Sequence, residues 1–449
     1  MELSGSVNKP ERTTRNGSIE SDREKQALSE EERKAEKPEY AASAEKKAGK
    51  KKRRGLAVFS AGALAGALLM AAGLNVWSGN ILFSKGILSA QTAQKAEVLK
   101  QLIEEHYYKA DEVTDEQLEE GIYKGMLEAL DDPYSVYYTT EEVEKLNETI
   151  SGTYTGIGAY VSRDSSTGCP KIAGVIAGAP AEKAGLQTDD ILWKADGELL
   201  QDLELDMAVS RIKGEKGTVV HLTVIRDGKE MEFDVTRDEV HSETVAGKML
   251  ENQIGYLQIA EFDDVTPEQF TEELEKLQDQ GIKGLIVDLR NNPGGTVEAV
   301  TSIAQHLIPE GLVFYMQYPD GSRKEYKAEG TEYIDLPIAV LVNGNSASAS
   351  EILSSAIQDS GAGTVIGTQT YGKGVVQTVY SLQDGTEVKL TICEYFTRNG
   401  NEIHQIGVTP DQEVEFDSEK YRKSGTDNQL EAAIKTISKK IELNLNKNN

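Results

Sequence analysis

One strand–turn–helix unit constrains the fold of this chain more than any other feature of its sequence. The apolar run 338–342 is typical of a buried strand, and residues 351–357 have the apolar periodicity of a helix. Ser348 lies in the turn between them. The free N–H groups and the positive end of the dipole at a helix start favour a developing oxyanion. The pattern therefore predicts that Ser348 is placed for nucleophilic chemistry.

A serine nucleophile needs a base, because its hydroxyl is a poor nucleophile at neutral pH. Lys373, which lies between two glycines in the run 371–374, could be that base if burial keeps its amine neutral. The same residues also have an ordinary interpretation. Ser348 and Glu351 form an S-x-x-E capping box, and a lysine between glycines is commonly a solvated turn residue. The short motif alone leaves both interpretations open.

The composition excludes several classes of function. The formal net charge is −27, so the surface repels nucleic acid, and a DNA- or RNA-binding role is not expected. The two cysteines, Cys169 and Cys393, are far apart and resemble isolated thiols rather than a disulfide framework. Because the sequence contains no C-x-x-C or H-E-x-x-H motif and its five histidines are scattered, we expect neither a metal nor another cofactor.

The first part of the chain has the composition of a tail followed by a membrane anchor. Residues 1–54 are polar and charged, which predicts a disordered tail. A basic cluster then precedes the uncharged apolar stretch 55–77, whose length suits one transmembrane helix. The cluster predicts a cytoplasmic N-terminus, and Trp77 suits the far interface. We therefore expect a single-pass protein of the cell membrane whose catalytic region is extracytoplasmic.

Residues 91–149 have the apolar spacing of helices, with a stop at Asp131-Asp132-Pro133. An apolar stripe of this kind is core packing or a dimer surface. The helices around 95–130 and 427–441 are compatible with a homodimer but also with helices that simply cap a core, so the oligomeric state stays open.

From residue 152 the pattern changes to short β runs separated by glycine turns. Their order resembles a PDZ domain of the bacterial, circularly permuted kind. In such domains a peptide adds a strand to a sheet edge, and its terminal carboxylate binds the backbone amides of a loop. The resemblance places Gly156, Ile157 and Gly158 in or beside that loop, although glycines there could also merely permit tight turns.

After Arg237, strands alternate with helices, which predicts a mostly parallel sheet with functional residues at the strand ends. The motifs of the whole chain then follow in one characteristic order: Asp131-Asp132-Pro133-Tyr134-Ser135, the PDZ-like stretch, the run 288–295, the run 346–351, the run 371–374 and Gly407-Val408-Thr409-Pro410-Asp411. This order resembles the carboxyl-terminal processing peptidases, also called tail-specific proteases, over residues 95–415. It implies a serine peptidase whose substrates are the C-terminal tails of proteins.

The resemblance also implies a role for individual residues. It matches Ser348 to the nucleophile, Lys373 to the general base and Gln377 to the polar residue that orients the lysine amine. The N–H groups of Gly294 and Ala349 match the oxyanion hole. The neighbouring hydroxyls of Ser346 and Ser350 are expected to support the turn, and Asp359 is expected to be structural.

The expected fold class is α/β: one transmembrane helix, a helical N-terminal region, and a PDZ-like β domain inserted before a mixed α/β serine protease core. The expected boundaries are 1–54 for the tail, 55–77 for the transmembrane helix, 91–149 for the helical region, 150–237 for the PDZ-like domain, 238–415 for the core and 416–449 for a C-terminal helical tail.

Two alternatives remain for the function. The chain could be an inert, membrane-anchored PDZ scaffold, or a Ser-His-Asp hydrolase whose base is His306 or His404. The absence of a G-x-S-x-G motif disfavours the second alternative.

Overall fold

The structure is a computed structural model, and it describes residues 89–447. The described residues divide into two units, 89–107 and 108–447. The described part of the first unit is one helix, α1 (Ala90–His106), which begins where the Ser89 hydroxyl accepts the Thr92 N–H at 3.2 Å. The predicted tail and the predicted transmembrane helix lie outside the described residues. Within residues 89–447, no helix combines the length and apolar character needed to cross a bilayer.

The second unit contains all the other described elements. Its helices are α2 (Asp115–Glu128), α3 (Thr140–Ser151), α4 (Pro180–Ala184), α5 (Leu205–Ile212), α6 (Thr266–Asp279), α7 (Val297–Leu307), α8 (Ala349–Ser360), α9 (Ser418–Ser424) and α10 (Asn428–Lys447), with short 3₁₀ turns at Ala110–Glu112 and Glu251–Gln253. Its strands up to the end of the PDZ-like region are β1 (Val136–Tyr138), β2 (Thr153–Gly156), β3 (Ala159–Arg163), β4 (Pro170–Val175), β5 (Ile191–Ala195), β6 (Glu198–Leu199), β7 (Val219–Arg226), β8 (Lys229–Thr236) and β9 (Asp238–His241). The later strands are β10 (Val245–Leu250), β11 (Ile254–Ile259), β12 (Gly284–Asp288), β13 (Gly311–Gln317), β14 (Arg323–Ala328), β15 (Ile338–Val342), β16 (Gly363–Gly367), β17 (Val375–Ser381), β18 (Glu387–Thr397) and β19 (Gln412–Glu413).

The region 108–151 is helical, as predicted, but it also contributes a strand. Capping boxes start α2 at Thr114 and α3 at Thr139. Between the two helices, β1 pairs antiparallel with β18 of the later five-stranded sheet, with Val136 opposite Lys389. The helical interpretation of 91–149 is therefore incomplete. A strand of three residues is too short to show a periodicity in the sequence. It forms because β18 supplies its hydrogen-bonding partners.

The PDZ-like region forms a six-stranded antiparallel sheet in the order β3-β4-β5-β7-β8, with β6 on the side of β5. Strands β7 and β8 form the predicted hairpin around Asp227-Gly228. The PDZ-like region has its own core, which contains fully buried side chains such as Leu192 and Val220, together with Ala208 of α5. Strand β3 is an edge strand of this sheet, and on one side of its backbone no other strand of residues 89–447 pairs with it.

The predicted parallel sheet is confirmed. Its order is β10-β11-β12-β15-β16-β19, and all pairs except β10–β11 are parallel. One face packs on α6, α7 and α8, and the other packs on α10 through Ala433 and Ile437, both fully buried. Strands β12 and β15 are adjacent and parallel, so the loops that follow them leave the same edge of the sheet.

A second, antiparallel sheet was not predicted. It has the order β1-β18-β13-β14, and β17 pairs with β18 on the opposite side from β1. Strand β17 begins two residues after Lys373, so this sheet positions the lysine.

Candidate active site

The Ser348 turn is strained. Ser348 has φ 55° and ψ −114°, a combination that costs a non-glycine residue on the order of 1–3 kcal/mol. The turn follows the fully buried strand β15 and opens α8, as the sequence predicts. Strain of this kind persists only where the surroundings enforce it, and it is concentrated at functional sites.

Buried hydrogen bonds on both sides of Ser348 enforce the conformation of the turn. The Ser346 hydroxyl donates to the Leu289 carbonyl at 2.8 Å, and the Ser350 hydroxyl donates to the Asn292 carbonyl at 3.0 Å. Both hydroxyls therefore join the Ser348 turn to the loop after β12. The prediction that these two serines are supporting residues is confirmed.

Glu351 joins the Ser348 turn to the loop that carries Lys373. Its side chain is fully buried, and its carboxylate accepts four hydrogen bonds. One oxygen accepts the backbone N–H of Ser348 at 2.9 Å and that of Lys373 at 2.8 Å. The other accepts the Thr370 hydroxyl at 2.6 Å and the Gly372 N–H at 2.7 Å. The residue interpreted as a helix cap therefore also brings the two predicted catalytic residues together.

Tyr395 forms a second link between the same two residues. The side chain is 2% exposed and lies on β18. Its hydroxyl is 2.7 Å from the Lys373 carbonyl and 3.1 Å from the Ser348 carbonyl, and it donates to these oxygens. Sequence reasoning missed this residue, because a tyrosine in an apolar strand carries no signal of such a contact.

The Lys373 side chain is partly buried in a mixed electrostatic environment. Burial lowers the pKa of its amine, and the positive charge of Lys389 lowers it further, against the opposing charges of Asp132 and Glu351. The direction is the one a general base requires, since a depressed pKa leaves more neutral amine near neutral pH. Within the described residues, its Nζ forms no hydrogen bond or ion pair; it lies 4.8 Å from the centre of the Tyr134 ring.

Gln377 lies on β17, four residues beyond Lys373, but its side-chain amide has a different partner. Its Nε2 donates to the Thr391 hydroxyl at 3.1 Å, across the β17–β18 pair. In this arrangement the amide does not contact the lysine amine. An orienting role for Gln377 would require its side chain to rotate.

The two predicted oxyanion-hole amides differ in their availability. Ala349 is the first residue of α8, and among the described residues no acceptor takes its N–H. The Gly294 N–H instead donates to the Asn292 side-chain oxygen at 2.8 Å. Gly294 does lie against Ser348, because a Cβ placed there would be 2.7 Å from the Ser348 Cβ. The structure thus brings Gly294 and Ser348 together, with a buried asparagine occupying the Gly294 amide.

The alternative mechanism requires a histidine ring that hydrogen-bonds to the Ser348 hydroxyl. His306 Nε2 is 3.6 Å from a Glu332 carboxylate oxygen. His404 packs its backbone against Gly374, where an added Cβ would be 2.3 Å from the His404 nitrogen. In the part of the chain that the structure describes, neither ring forms a hydrogen bond to Ser348.

The predicted peptide-binding residues line a cavity of about 460 Å³ in the PDZ-like region. Gly156, Ile157 and Gly158 lie at one wall, and residues of β3 and α5 form the sides. Within residues 89–447, the N–H groups of Ile157 and Gly158 donate to no acceptor. Gly158 has φ 73°, and a Cβ there would be 2.3 Å from the Ala179 Cβ, so the loop conformation requires glycine.

Charged groups surround the same cavity. The Lys213 ammonium pairs with the Glu148 carboxylate at 2.6 Å. Burial raises the pKa of Asp263 to about 7, and the negative charges of Glu261 and Asp264 add to the effect. Next to Asp263, the Phe262 N–H donates to the Gly294 carbonyl at 2.9 Å, so the wall of this cavity is continuous with the loop beside Ser348.

Comparisons with known proteins match all three regions. Residues 253–414 match peptidase family S41, residues 171–226 match the PDZ domain, and residues 81–142 match the N-terminal domain of the activating protease CtpB. The carboxy-terminal processing protease CtpA of Bacillus subtilis (strain 168) is 36% identical over 360 residues, which cover 77% of this chain and 76% of that protein. The carboxyl-terminal-processing protease of Synechocystis sp. (strain ATCC 27184 / PCC 6803 / Kazusa) is 36% identical over 296 residues, covering 65% and 69%. Among solved structures, the photosystem II D1 C-terminal processing protease is 30% identical with a TM-score of 0.43, covering 67% of this chain and 83% of that one.

Proposed function

The chain belongs to the carboxy-terminal processing proteases of peptidase family S41, and from that premise we propose that it cleaves proteins near their C-terminal tails with a Ser348–Lys373 dyad. It is a mixed α/β protein with a PDZ domain, and it is a serine-type peptidase.

The single observation that carries the proposed dyad is the position of the Glu351 carboxylate. It accepts the backbone N–H groups of both Ser348 and Lys373 on one oxygen, at 2.9 and 2.8 Å. A buried carboxylate that accepts four hydrogen bonds is a strong constraint, because hydrogen bonds to a charged group are about twice as strong as neutral ones. The contact supports a site in which these two residues act together.

The reaction is peptide-bond hydrolysis through an acyl-enzyme. The Ser348 oxygen attacks the carbonyl carbon while the neutral Lys373 amine takes the hydroxyl proton. The resulting ammonium returns that proton to the leaving nitrogen as the C–N bond breaks. Lys373 then takes a proton from water as that water attacks the ester, and the ammonium gives the proton to the Ser348 oxygen as the ester bond breaks and the new carboxyl terminus leaves.

The negative oxygen formed at each step needs hydrogen-bond donors, for which we assign Ala349 and Gly294. The Ala349 N–H is already available. The Gly294 N–H becomes available when the Asn292 side-chain oxygen gives way to the substrate oxygen. Gln377, released from Thr391, would orient the lysine amine. The site would thus complete itself around a bound substrate.

The PDZ domain provides the proposed site for substrate tails. Strand β3 is an edge strand, so a tail in extended conformation can add to it by main-chain hydrogen bonds. The N–H groups of Ile157 and Gly158 can then bind the terminal carboxylate. Near the dyad, Tyr371 and Ile406 are 59% and 56% exposed, which favours substrates with apolar side chains beside the cleaved bond.

The cellular setting is a separate part of the proposal. Residues 55–77 would anchor the protein in the cell membrane as one transmembrane helix, with the N-terminus in the cytoplasm and the peptidase outside. A second copy of the chain could dock on α2, where Ile122 and Met126 are each 47% exposed. Protease accessibility in intact cells tests the topology, since cleavage from the cytoplasmic side alone would overturn it.

The deciding experiment measures cleavage of an unfolded protein with an apolar C-terminus by the full-length chain in detergent. Ser348→Ala and Lys373→Ala should each abolish turnover. Ser355→Ala is the matched control, because it removes a buried hydroxyl of the same helix that donates only to the Ile352 carbonyl. Full turnover in either dyad variant, with the control equally active, would contradict the assignment.

The same preparations test tail recognition. Amidation of the substrate's terminal carboxyl should weaken its cleavage if the backbone amides of the PDZ loop bind that carboxylate. Equal cleavage of the amidated and free tails would overturn the role assigned to Gly156, Ile157 and Gly158.

A further inference from the structure

Tyr134 supplies the aromatic face on which the Lys373 ammonium rests. The Nζ lies 4.8 Å from the ring centre, within the range of a cation–π contact. Among the described residues, no hydrogen bond or ion pair competes for this nitrogen. The lysine is therefore directed towards a ring from the N-terminal region rather than towards Gln377 or a carboxylate.

The position of the ring is not incidental, because the turn that carries it is held on both sides. The Asp132 carboxylate accepts the Tyr134 N–H at 3.0 Å and the Ser135 hydroxyl at 2.6 Å. The Ser135 hydroxyl in turn accepts the Thr391 N–H of β18 at 3.1 Å. Pro133 limits the backbone further. The turn is thus attached to the same strand residue whose hydroxyl binds Gln377.

The chemistry of this contact opposes the action of a base. An aromatic face attracts a cation through its quadrupole but gives no such stabilisation to a neutral amine. A general base must be neutral when it takes the serine proton. The ring therefore stabilises the one form of Lys373 that cannot act, against the burial that disfavours the charge.

We propose that Tyr134 is a positioning residue that holds Lys373 in a charged resting state, and that the lysine leaves this ring when it acts on Ser348. The proposal rests on the function proposed above, in which Lys373 is the base, and it adds a control of that base by the N-terminal region. The charged and titratable groups around the lysine are Lys389 of β18, Asp132 of the turn and Glu351 of α8, with Tyr371 beside Tyr134 and His404 beside Gly374.

The first test measures the lysine directly and needs no turnover. In the full-length chain with Ser348→Ala, acetylation of Lys373 by acetic anhydride is followed by peptide mass spectrometry as a function of pH. Tyr134→Leu should lower the midpoint of amine reactivity by about 0.4 to 1.5 pH units, the range expected for loss of a cation–π contact. Tyr134→Phe keeps the ring and should leave the midpoint unchanged.

The second test uses the same substitutions with Ser348 intact. The pH at which kcat/KM rises should fall in Tyr134→Leu, with roughly 3- to 30-fold more activity on the acidic side of the profile. A merely structural role would lower activity at every pH without moving this midpoint. If Tyr134→Leu does not fold, as judged by its thermal transition, Tyr134→Met provides the same loss of the ring.

The outcomes separate the two proposals. Equal midpoints in the parent and in the ring-less variants, or an equal shift in Tyr134→Phe, would overturn the role of Tyr134. Retained turnover in Lys373→Ala would instead overturn the dyad, whatever the lysine midpoint. Turnover that depends on Lys373 without a shift in Tyr134→Leu would leave the dyad standing and refute the resting contact alone.

Discussion

The substitution Glu351→Gln tests the buried connection between the Ser348 turn and the loop that carries Lys373. It preserves the shape of the side chain but replaces one acceptor oxygen by an NH₂ group and removes the charge. The Thr370 hydroxyl can accept from that NH₂ group, whereas the Gly372 N–H cannot. The amide will therefore turn its oxygen towards Ser348 and Lys373 and its nitrogen towards Thr370 and Gly372.

The size of the effect follows from these contacts. One hydrogen bond to a charged group is lost outright, at about 1.5–3 kcal/mol, and those to Ser348 and Lys373 weaken from charged to neutral acceptors. Together, the lost and the weakened hydrogen bonds cost about 3 kcal/mol of the interaction energy that holds the site in this geometry. If this loss falls on the alignment of the dyad, kcat/KM should fall roughly 10²-fold, since each 1.36 kcal/mol is a factor of ten.

The assay compares kcat and KM on an unfolded protein substrate with the thermal transition of each variant. Glu387→Gln is the control, because this carboxylate accepts only the exposed Ser381 hydroxyl, at 2.8 Å. We expect kcat to carry the loss, with KM little changed, since we assign tail binding to the PDZ domain. Activity equal to that of the control would refute the view that this carboxylate aligns the dyad.

Three further predictions concern other parts of the second unit. The native carboxyl of Asp263, with its pKa raised to about 7, keeps a proton that an unfolded carboxyl loses near pH 4, so the native state loses stability as pH rises through this window. Asp263→Asn should therefore raise the melting temperature relative to the parent at pH 8 and not at pH 4, and an equal difference at both pH values would contradict the reasoning. Tyr395→Phe removes the hydroxyl that joins the Ser348 and Lys373 carbonyls and should lower kcat about 5- to 30-fold. The control Tyr380→Phe, at an exposed position, should leave kcat unchanged. An equal effect of both substitutions would contradict the link. Gly158→Ala should weaken binding of a free-carboxylate peptide in a fluorescence titration, because its Cβ would collide with Ala179, and unaltered binding would exclude the loop from the peptide site.

Much of the fold follows from local patterns in the sequence. The strand 338–342 appears with the same bounds, and the alternation of strands and helices after Arg237 yields the parallel sheet. These elements could be predicted because apolar periodicity reports the burial of each element directly. The short strand β1 carried no such pattern, and its pairing with β18 depends on a partner far along the chain.

The candidate site divides along the same line. The sequence predicts its individual residues, since Ser348 stands at a helix start and Lys373 between glycines. Four contacts could not be predicted: the second role of Glu351, the Tyr395 hydroxyl on the Ser348 and Lys373 carbonyls, the ring of Tyr134 under the lysine, and the Asn292 oxygen on the Gly294 amide. The first three join segments that are distant in the chain, whereas the Asn292 contact depends on the conformation of the loop after β12.

The sequence by itself determined which residues are candidates for catalysis and which elements carry them, because secondary structure and helix capping arise from neighbouring residues. Only the tertiary structure decided the state of those residues. The pKa of Lys373 and the aromatic partner of its amine depend on burial and on groups from separate elements. These surroundings of Lys373 form only when the two sheets and the turn that carries Tyr134 pack together.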